Sequence, residues 1–390
     1  MGTKIWLAGR ASAVAGHILA EKFTRPIAHT TNDVPRDGLA LSTRWLTEAL
    51  CRDHPGAEVV SFYSPGGSVG TTTRIALRVR YNDVGRKAGL PTALFTKTST
   101  NFAQRILMGA GAVLDGETQF FMNLRPHVEM EAPAGYWGGF DDASWRSIMV
   151  MEDVAETKGA QFLTATTAVT CEQMTDLVGN LAALHGAFWE HDVIRTLKTP
   201  REHLLNVSSL INMSARAKVG MDRSKSVIPS ALHGQADRLW RGTQRCLEMA
   251  TSALPATLLH GDCHIAQVYI TRDGKMGLAD WQVIQQGGWA CDFAYLVASA
   301  CEPQDRREWE EQLLRTYLEQ LSAAGGKAPD FDQAWLAYRQ QLFYPFSVWA
   351  FTLGRAFYQP KMQPDDVSLK VVHRLSTAIQ DHNSFDAIGV

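Results

Sequence analysis

The hydrophobic period changes along this chain of 390 residues, and the change limits the folds that the chain can adopt. Between Arg74 and Tyr81, apolar side chains alternate with basic and small ones, which is the period-2 pattern of a half-buried β-strand. Two further strand-like runs follow at 94–98 and 148–151. From residue 170 onward, apolar side chains instead recur at helical spacing. The pattern predicts an α+β protein with a small antiparallel sheet up to about residue 152 and mainly helices after it.

Two helix starts carry residues that typically cap helices. Ser42 precedes residues 45–50, whose apolar members fall on one helix face, so Ser42 is expected to be an N-cap. Thr170 is followed three residues later by Gln173, which is the signature of a capping box before the apolar stripe of 174–184. Both segments are therefore predicted to be helices.

Charge and cysteine usage narrow the functional class. A net charge of −2 provides no overall basic field, which argues against nucleic acid as the main partner. The six cysteines are scattered without a C-x-x-C pair, as expected for reduced thiols in a cytoplasmic protein. No uninterrupted apolar run approaches the roughly 18 residues of a membrane span. We therefore expect a soluble cytoplasmic protein.

A short strand-rich segment, residues 258–282, interrupts the helical part of the chain. Two strand-like runs flank Asp273-Gly274, a strong signal for a tight hairpin turn. A two-residue turn there would pair position 280 with position 267 and place Asp280 beside Gln267 at the open end of the hairpin. Asp262 would lie on the loop just before it.

These side chains suit phosphoryl transfer. That reaction needs a carboxylate that orients the attacking hydroxyl and accepts its proton, and oxygen ligands that hold Mg²⁺ on the nucleotide phosphates. Protein kinases supply an Asp, an Asn five residues later and the Asp of a D-F-G motif. Here Asp262, Gln267 and Asp280 stand in that order, so we predict Asp262 as the catalytic base and Gln267 and Asp280 as Mg²⁺ ligands. The simpler alternative makes Asp262 a turn residue and Asp280 a strand-end cap.

A different metal chemistry is possible with the same residues. His260, Asp262, Cys263 and His264 could be ligands of a metal-dependent phosphoesterase or of a zinc ion. Two-metal phosphoesterases need further His and Asp motifs downstream, and none has suitable spacing. The remaining cysteines offer no second pair of zinc ligands.

The two motifs His260-Gly-Asp-Cys-His264 and Ala279-Asp-Trp-Gln282 resemble those of the aminoglycoside phosphotransferase/choline kinase-like family, which has a protein-kinase-like fold. Within it, the chain is most similar to the ecdysteroid-kinase-like branch and its bacterial relatives. The resemblance implies an N-terminal nucleotide-binding lobe at 1–152, preceded by N-terminal helices. It also implies a C-terminal lobe at 153–390 with the catalytic loop, the metal site and acceptor-binding helices. The implied activity is an ATP- or GTP-dependent, Mg²⁺-dependent phosphotransferase, a kinase that acts on a hydroxyl group of a small molecule.

The same resemblance implies residues for the nucleotide phosphates. Lys97 would reach the α- and β-phosphates, and Glu117 would be the helix carboxylate that pairs with it. Glu131 or Asp115 could take the place of Glu117. A glycine-rich turn over the phosphates would be formed by Gly66, Gly67, Ser68 and Gly70.

Four further positions are assigned by the resemblance. Glu152 and Val154 would present backbone groups to adenine at the linker between the lobes. His185 is expected to be structural rather than catalytic. Asp292 would cap the following helix and support the catalytic loop without touching substrate.

One departure from the family pattern concerns the metal site. The family usually has Asn where this chain has Gln267, whose additional methylene adds about 1.5 Å of reach. Because Mg²⁺ is geometrically strict, the metal or the loop must adjust. The main expectation is an active enzyme, and the alternative is a catalytically impaired pseudokinase that acts as a nucleotide- or ligand-binding module.

The acceptor is expected to be bulky and largely apolar. The family's C-terminal helices line the acceptor side, and in this chain the segment from Phe331 to Tyr358 is rich in aromatic residues. These aromatics could equally be core residues of ordinary helices. An anionic acceptor is a variant, because residues 195–248 hold ten basic and four acidic residues, a net charge of +6.

Overall fold

The computed structural model describes residues 2–357 and 362–390, and the chain divides into two compact units. Unit 1 comprises the residues up to His127 together with Pro133–Ala160. Unit 2 comprises Val128–Ala132 and Gln161–Val390. The functional division into lobes at 1–152 and 153–390 stays a prediction.

Unit 1 is a five-stranded antiparallel sheet with short helices. Its elements are α1 (Gly2–Thr24), α2 (Thr43–Leu50), β1 (Val59–Val69), β2 (Thr73–Tyr81), α3 (Asp83–Lys87), β3 (Ala93–Thr98), α4 (Phe102–Ala110), α5 (Gly116–Gln119), β4 (Gly135–Asp141), β5 (Arg146–Glu152) and α6 (Val154–Thr157). The strand order is β1-β2-β3-β5-β4, and every neighbouring pair is antiparallel. The three predicted strands are β2, β3 and β5, whereas β1 and β4 were not predicted.

Helix α2 packs on this sheet as its pattern predicts. Ser42 is the N-cap, and its side chain accepts a hydrogen bond from the Trp45 backbone N–H. The apolar face of α2 is buried against β2, β3 and β5, and Trp45 meets Trp137 of β4 edge to face with ring centroids 4.7 Å apart. The core of unit 1 therefore lies between α2 and one face of the sheet.

Unit 2 is mainly helical. Its elements are β6 (Gln161–Phe162), α7 (Cys171–Ala187), α8 (Pro200–Ile211), α9 (Met213–Arg223), α10 (Ala236–Ser252), β7 (Ala256–Leu259), β8 (Val268–Ile270), β9 (Met276–Leu278), β10 (Gln285–Gly288), α11 (Ala290–Ala300), α12 (Pro303–Ala323), α13 (Phe331–Gln340), α14 (Phe343–Leu353), α15 (Asp365–Asp381) and α16 (Ser384–Ile388). The capping box of Thr170 and Gln173 opens α7, as predicted. The expected α+β class, with one antiparallel-sheet part and one helical part, is confirmed.

Helix α11 is the central element of unit 2. All its residues except Cys291 are buried, as is typical of a helix enclosed by other elements. It packs against α7, α12, α13 and α15. In the part of the chain that the structure describes, no helix is long and apolar enough to cross a membrane.

The hairpin of β8 and β9 differs from its predicted register. Val268 pairs with Leu278 and Ile270 with Met276, and the Ala279 N–H donates to the Gln267 carbonyl, so position 267 is opposite 279 rather than 280. The cause is a three-residue turn in place of the expected two-residue turn, because the Thr271 N–H donates to the Lys275 carbonyl and Gly274 adopts φ +82°.

Candidate functional site

In unit 1, Lys97 and Glu117 form a buried ion pair. Lys97 lies on β3, between β2 and β5, and its Nζ is 2.9 Å from Oε1 of Glu117 on the one-turn helix α5. Each side chain is only 8% exposed. The carboxylate that the sequence singled out is therefore the partner of this lysine. Of the two alternatives, Glu131 accepts a hydrogen bond from the Tyr269 hydroxyl, and Asp115 is the N-cap residue of α5.

The glycine-rich segment forms the end of β1 rather than a separate loop. Gly66, Gly67 and Ser68 pair with β2, and the turn begins at Gly70. A Cβ atom on Gly67 would lie 2.4 Å from the Arg74 carbonyl oxygen, so this strand pairing requires glycine.

A buried glutamine that the sequence reasoning missed holds the turn. The Nε2 of Gln104 donates to the Gly70 carbonyl at 2.9 Å, and its Oε1 accepts from the Thr73 and Thr100 hydroxyls. Gln104 is also part of a capping box with Asn101 at the start of α4. The Asn101-x-x-Gln104 spacing could have revealed the cap, but not the contact with Gly70.

Glu152 and Val154 stand at the end of β5 and the start of α6. The Glu152 N–H donates to the Ala134 carbonyl, while the Val154 carbonyl accepts from Lys158 and Ala160. The N–H of a first helical residue has no partner within its helix, so the Val154 N–H is the better placed of these groups for a ligand. Arg78 holds the segment from β2 through ion pairs with Asp153 and Glu156, each at 2.9 Å.

In unit 2, Asp292 of α11 holds the loop that carries Asp262. The two carboxylate oxygens of Asp292 accept the backbone N–H groups of His260 and Gly261 at 2.6 and 3.0 Å. Burial by itself raises the pKa of Asp292. The hydrogen bonds that Asp292 accepts from His185 and from the backbone outweigh burial, so the pKa of Asp292 is lowered. Asp292 therefore supports the loop as predicted, but it is not a helix cap, because it is the third residue of α11 and Trp289 is the N-cap.

His185 belongs to this support. Its Nδ1 is 2.7 Å from the Tyr317 hydroxyl, its Nε2 is 3.4 Å from Asp292 Oδ2, and the ring is fully buried. The structural role expected from the sequence agrees with these contacts.

Gly261 makes the loop's sharp turn possible. It has φ +82°, and a Cβ atom there would lie 2.3 Å from the Val283 carbonyl oxygen. A left-handed backbone and a close backbone neighbour together exclude any side chain at this position. The turn places Asp262 at the exposed side of the loop, where its side chain remains 32% exposed.

Three side chains surround the Asp262 carboxylate. The Tyr295 hydroxyl donates to Oδ1 at 2.8 Å, and Gln267 Nε2 donates to Oδ2 at 3.4 Å. His264 Nε2 is 3.6 Å from Oδ2. Burial lowers the pKa of His264 although the charge of Asp262 opposes this, so the imidazole is uncharged at neutral pH. Tyr295 was missed in the sequence because it is 33 residues downstream, in a mostly apolar helix.

His260 connects this loop to the loop of Asp280. Its Nδ1 accepts the Asp262 N–H at 3.3 Å, and its Nε2 donates to the Ala279 carbonyl at 2.9 Å. Asp280 itself adopts the left-handed conformation, with φ +64°. A non-glycine residue held in this conformation is strained, and such strain is frequent at functional sites.

The residue types at positions 280 and 267 are ones that a magnesium ion accepts as ligands. Mg²⁺ prefers carboxylate and amide oxygens, which Asp280 and Gln267 supply. Gln267 donates to Asp262 through Nε2, which leaves its amide oxygen Oε1 as the atom that could bind a metal. Asp280 and Gln267 are thus the residues that would hold the metal.

The contacts of Cys263 and His260 do not suit the phosphoesterase metal site or the zinc site that the sequence left open. The Cys263 thiol is fully buried and donates to the Asp292 carbonyl, and His260 Nε2 donates to a backbone carbonyl. Among the described residues, no three His, Cys, Asp or Glu side chains are grouped closely enough to hold a metal ion.

Most of the C-terminal aromatic residues are core residues. Tyr338, Phe343, Phe346, Trp349 and Phe351 are all buried. Trp335 and Tyr344 are half-buried, Phe357 is exposed, and Tyr358 lies outside the described residues. The aromatic richness of this segment thus comes mainly from ordinary helix packing.

The chain is similar to several solved structures, among which are the following three. Choline kinase LicA from Streptococcus pneumoniae is 13% identical, with 83% of this chain and 94% of that chain covered and a TM-score of 0.46. Ethanolamine kinase from Plasmodium vivax is 12% identical, with 82% and 81% covered and a TM-score of 0.43. Spectinomycin phosphotransferase APH(9)-Ia, solved with ADP and spectinomycin, is 12% identical, with 86% and 96% covered and a TM-score of 0.44.

Sequence comparison supplies the family. No curated protein matches the chain. The model of the phosphotransferase enzyme family, APH, matches residues 109–337, which is more than half of the chain and includes Asp262, Gln267 and Asp280. The protein is therefore a member of the APH phosphotransferase enzyme family.

Proposed function

We propose that this phosphotransferase moves the γ-phosphoryl group of ATP or GTP to a hydroxyl group of a small molecule, with Asp262 as the catalytic base. The observation that carries the proposal is the partly exposed Asp262 carboxylate, which Tyr295 and Gln267 orient on a loop tied to Asp292. The narrower likeness to the ecdysteroid-kinase-like branch stays a prediction.

Asp262 would act on the acceptor hydroxyl. Its carboxylate accepts the hydroxyl proton while the hydroxyl oxygen bonds to the γ-phosphorus and the bond from that phosphorus to the β–γ bridging oxygen breaks. The products are the phosphorylated acceptor and ADP or GDP. Mg²⁺, when bound by Asp280 and Gln267, would neutralise charge on the phosphate oxygens.

Residues of unit 1 would bind the nucleotide. Lys97, oriented by Glu117, carries the positive charge for the α- and β-phosphates. Gly66, Gly67 and Ser68 at the end of β1 and Gly70 in the following turn carry no bulky side chain, so their backbone can approach phosphate oxygens closely. The Val154 N–H and the backbone of Glu152 are the proposed contacts of the base.

The acceptor in this proposal is bulky and largely apolar. Its support is the half-buried aromatic residue Tyr344 of α14, whose hydroxyl has a pKa raised by burial and then by the charge of Asp262. The anionic variant would rely on the basic residues of 195–248, of which Arg195, Lys218, Lys225 and Arg245 form ion pairs with nearby acidic residues.

The test is phosphate transfer to a panel of apolar alcohols, sugars and antibiotics with labelled ATP and GTP. Asp262→Asn is expected to lower kcat by about 10²- to 10⁴-fold and to leave nucleotide affinity nearly unchanged. Asp273→Asn, an exposed aspartate in the nearby hairpin turn, is the matched control and should keep the wild-type rate. Equal rates in wild type and Asp262→Asn would contradict the proposal.

The panel also separates the enzyme from the pseudokinase. Nucleotide binding in a thermal-shift assay without transfer to any acceptor, and without nucleotide hydrolysis, would favour the binding module. Transfer that depends on Asp262 would exclude it.

A further inference from the structure

Two residues of α11 hold the loop of Asp262 at two different points. Asp292 binds the loop backbone, and Tyr295, one helical turn later, binds the Asp262 side chain. Residues three apart lie on the same face of a helix. One face of α11 therefore determines both where the loop runs and how its carboxylate is turned.

Tyr295 is itself held in place by a tryptophan of α14. The Trp349 indole N–H donates to the Tyr295 hydroxyl oxygen at 3.1 Å, and this hydroxyl donates to Asp262 Oδ1 at 2.8 Å. Tyr295 and Trp349 are 2% and 3% exposed. Two successive hydrogen bonds therefore run from Trp349 through Tyr295 to Asp262, and both aromatic residues are buried.

We propose that Tyr295, fixed by Trp349, is a positioning residue that reserves Oδ2 of Asp262 for the acceptor hydroxyl. This inference rests on the proposed function of Asp262. The hydroxyl of Tyr295 occupies Oδ1, and the carboxylate plane is set by that bond. The Oδ2 atom, which has only the longer contacts to Gln267 and His264 among the described residues, is the oxygen that accepts the proton.

A positioning residue is needed because the carboxylate of an aspartate can rotate. The terminal torsion of an aspartate is broad, so an unsupported carboxylate samples many orientations. Proton transfer requires the accepting oxygen within hydrogen-bond reach of the hydroxyl. Burial and then the charge of Asp262 raise the pKa of Tyr295 well above its usual range, so the phenol keeps the proton that it donates.

Stability alone does not require this arrangement. Phenylalanine at both buried positions would avoid the need to satisfy a hydroxyl and an indole N–H, and replacing both partners of a buried hydrogen bond by apolar groups is often nearly neutral. The polar chain also ends on the one carboxylate of the loop rather than on a backbone group. Its end point is consistent with a role in orienting Asp262.

The kinetic test compares Tyr295→Phe, which removes only the hydroxyl, with wild type. Misorientation of a reacting group typically costs up to about 100-fold, so kcat is expected to fall roughly 10- to 100-fold while the KM for the nucleotide stays unchanged. Trp349→Phe should lower kcat less, because Tyr295 would still reach Asp262. Tyr338→Phe is the matched control, since it removes another buried hydroxyl that donates to a carboxylate, that of Glu310 at 2.9 Å, and it should keep the wild-type kcat.

A second measurement does not depend on turnover. In a double-mutant cycle of Tyr295→Phe and Asp262→Ala, the equilibrium constants of urea unfolding should show a coupling of about tenfold or more, as expected for a hydrogen bond to a charged group. A coupling factor near one would overturn the inference. An active wild type with unchanged kcat in Tyr295→Phe would overturn it while the proposed function stands. A wild type that transfers no phosphate, while Asp262 and Tyr295 remain coupled, would overturn the proposed function and with it the catalytic role given to Tyr295.

Discussion

Lys97 and Glu117 are joined by a 2.9 Å ion pair inside unit 1, although they come from a sheet strand and a one-turn helix that are 20 residues apart. Removing two such charges from water costs several kcal/mol, which the attraction between them offsets only when the geometry is good. The buried ion pair is therefore better explained by a functional role of Lys97 than by a gain in folding stability.

We expect Lys97→Met to destabilise the protein by about 3–5 kcal/mol, because Glu117 loses its cation in a buried position. The double variant Lys97→Met/Glu117→Met should be less destabilised than the single one, and both should lose nucleotide affinity. Urea unfolding and nucleotide titration measure these effects. A single variant as stable as wild type would contradict the electrostatic explanation.

Gln104→Ala should raise the KM for the nucleotide at least several-fold, since the Gly70 carbonyl loses its buried donor and the β1–β2 turn is released. Gln173→Ala is the control, because it removes the equivalent glutamine of a capping box on α7, away from the glycine-rich segment. Both changes should cost about 1 kcal/mol of helix capping. Equal nucleotide KM values in the two variants would refute the role of Gln104.

Gly261→Ala is expected to abolish activity and to lower stability by more than the roughly 1–2 kcal/mol of left-handed strain, because the new Cβ meets the Val283 carbonyl. Gly274→Ala has the same φ of +82° with nothing within 4 Å of the added Cβ. It should therefore show the strain alone and retain activity. Thermal unfolding and transfer rates of both variants, side by side, separate backbone strain from the steric clash.

Gln267→Asn is expected to keep or raise activity and to lower the Mg²⁺ concentration needed for half-maximal rate, because it restores the shorter amide of the family pattern. The rate as a function of Mg²⁺ concentration tests this. Complete loss of activity would mean that the site is built around glutamine and its contact with Asp262.

The buried His203 makes stability depend on pH. Burial, followed by the charge of Lys198, lowers the pKa of His203 to about 4 from its usual 6.5. The unfolded chain therefore binds a proton below pH 6.5 that the folded chain refuses, and stability falls as the pH drops from 6.5 toward 4. The loss between pH 7.5 and 5 should be about 2 kcal/mol. His203→Leu should flatten this part of the curve, and an unchanged slope would contradict the assignment.

Local sequence patterns predicted several secondary-structure elements and the main motif of this protein. The alternation of 74–81, the N-cap of Ser42 and the capping box of Thr170 each depend on neighbours within a few residues, so the sequence alone predicted β2, α2 and α7. The same holds for the motif around Asp262, Gln267 and Asp280, whose spacing is enough to indicate the family. Lys97 and Glu117 were also indicated, through the family resemblance.

Only the tertiary structure decided the register and the long-range partners. The β8–β9 hairpin shifts by one position because Gly274 takes a left-handed conformation in a three-residue turn, an alternative that Asp273-Gly274 permits equally well. Tyr295, Trp349 and Gln104 reach their partners across 33, 54 and 34 positions of the chain. A hydroxyl or an amide in an apolar segment carries no local signal of its partner, because that partner is determined by how the helices pack. The sequence alone therefore indicated the family and predicted Asp262 as the catalytic base, whereas the packing of α11 and α14 decided how its carboxylate is held.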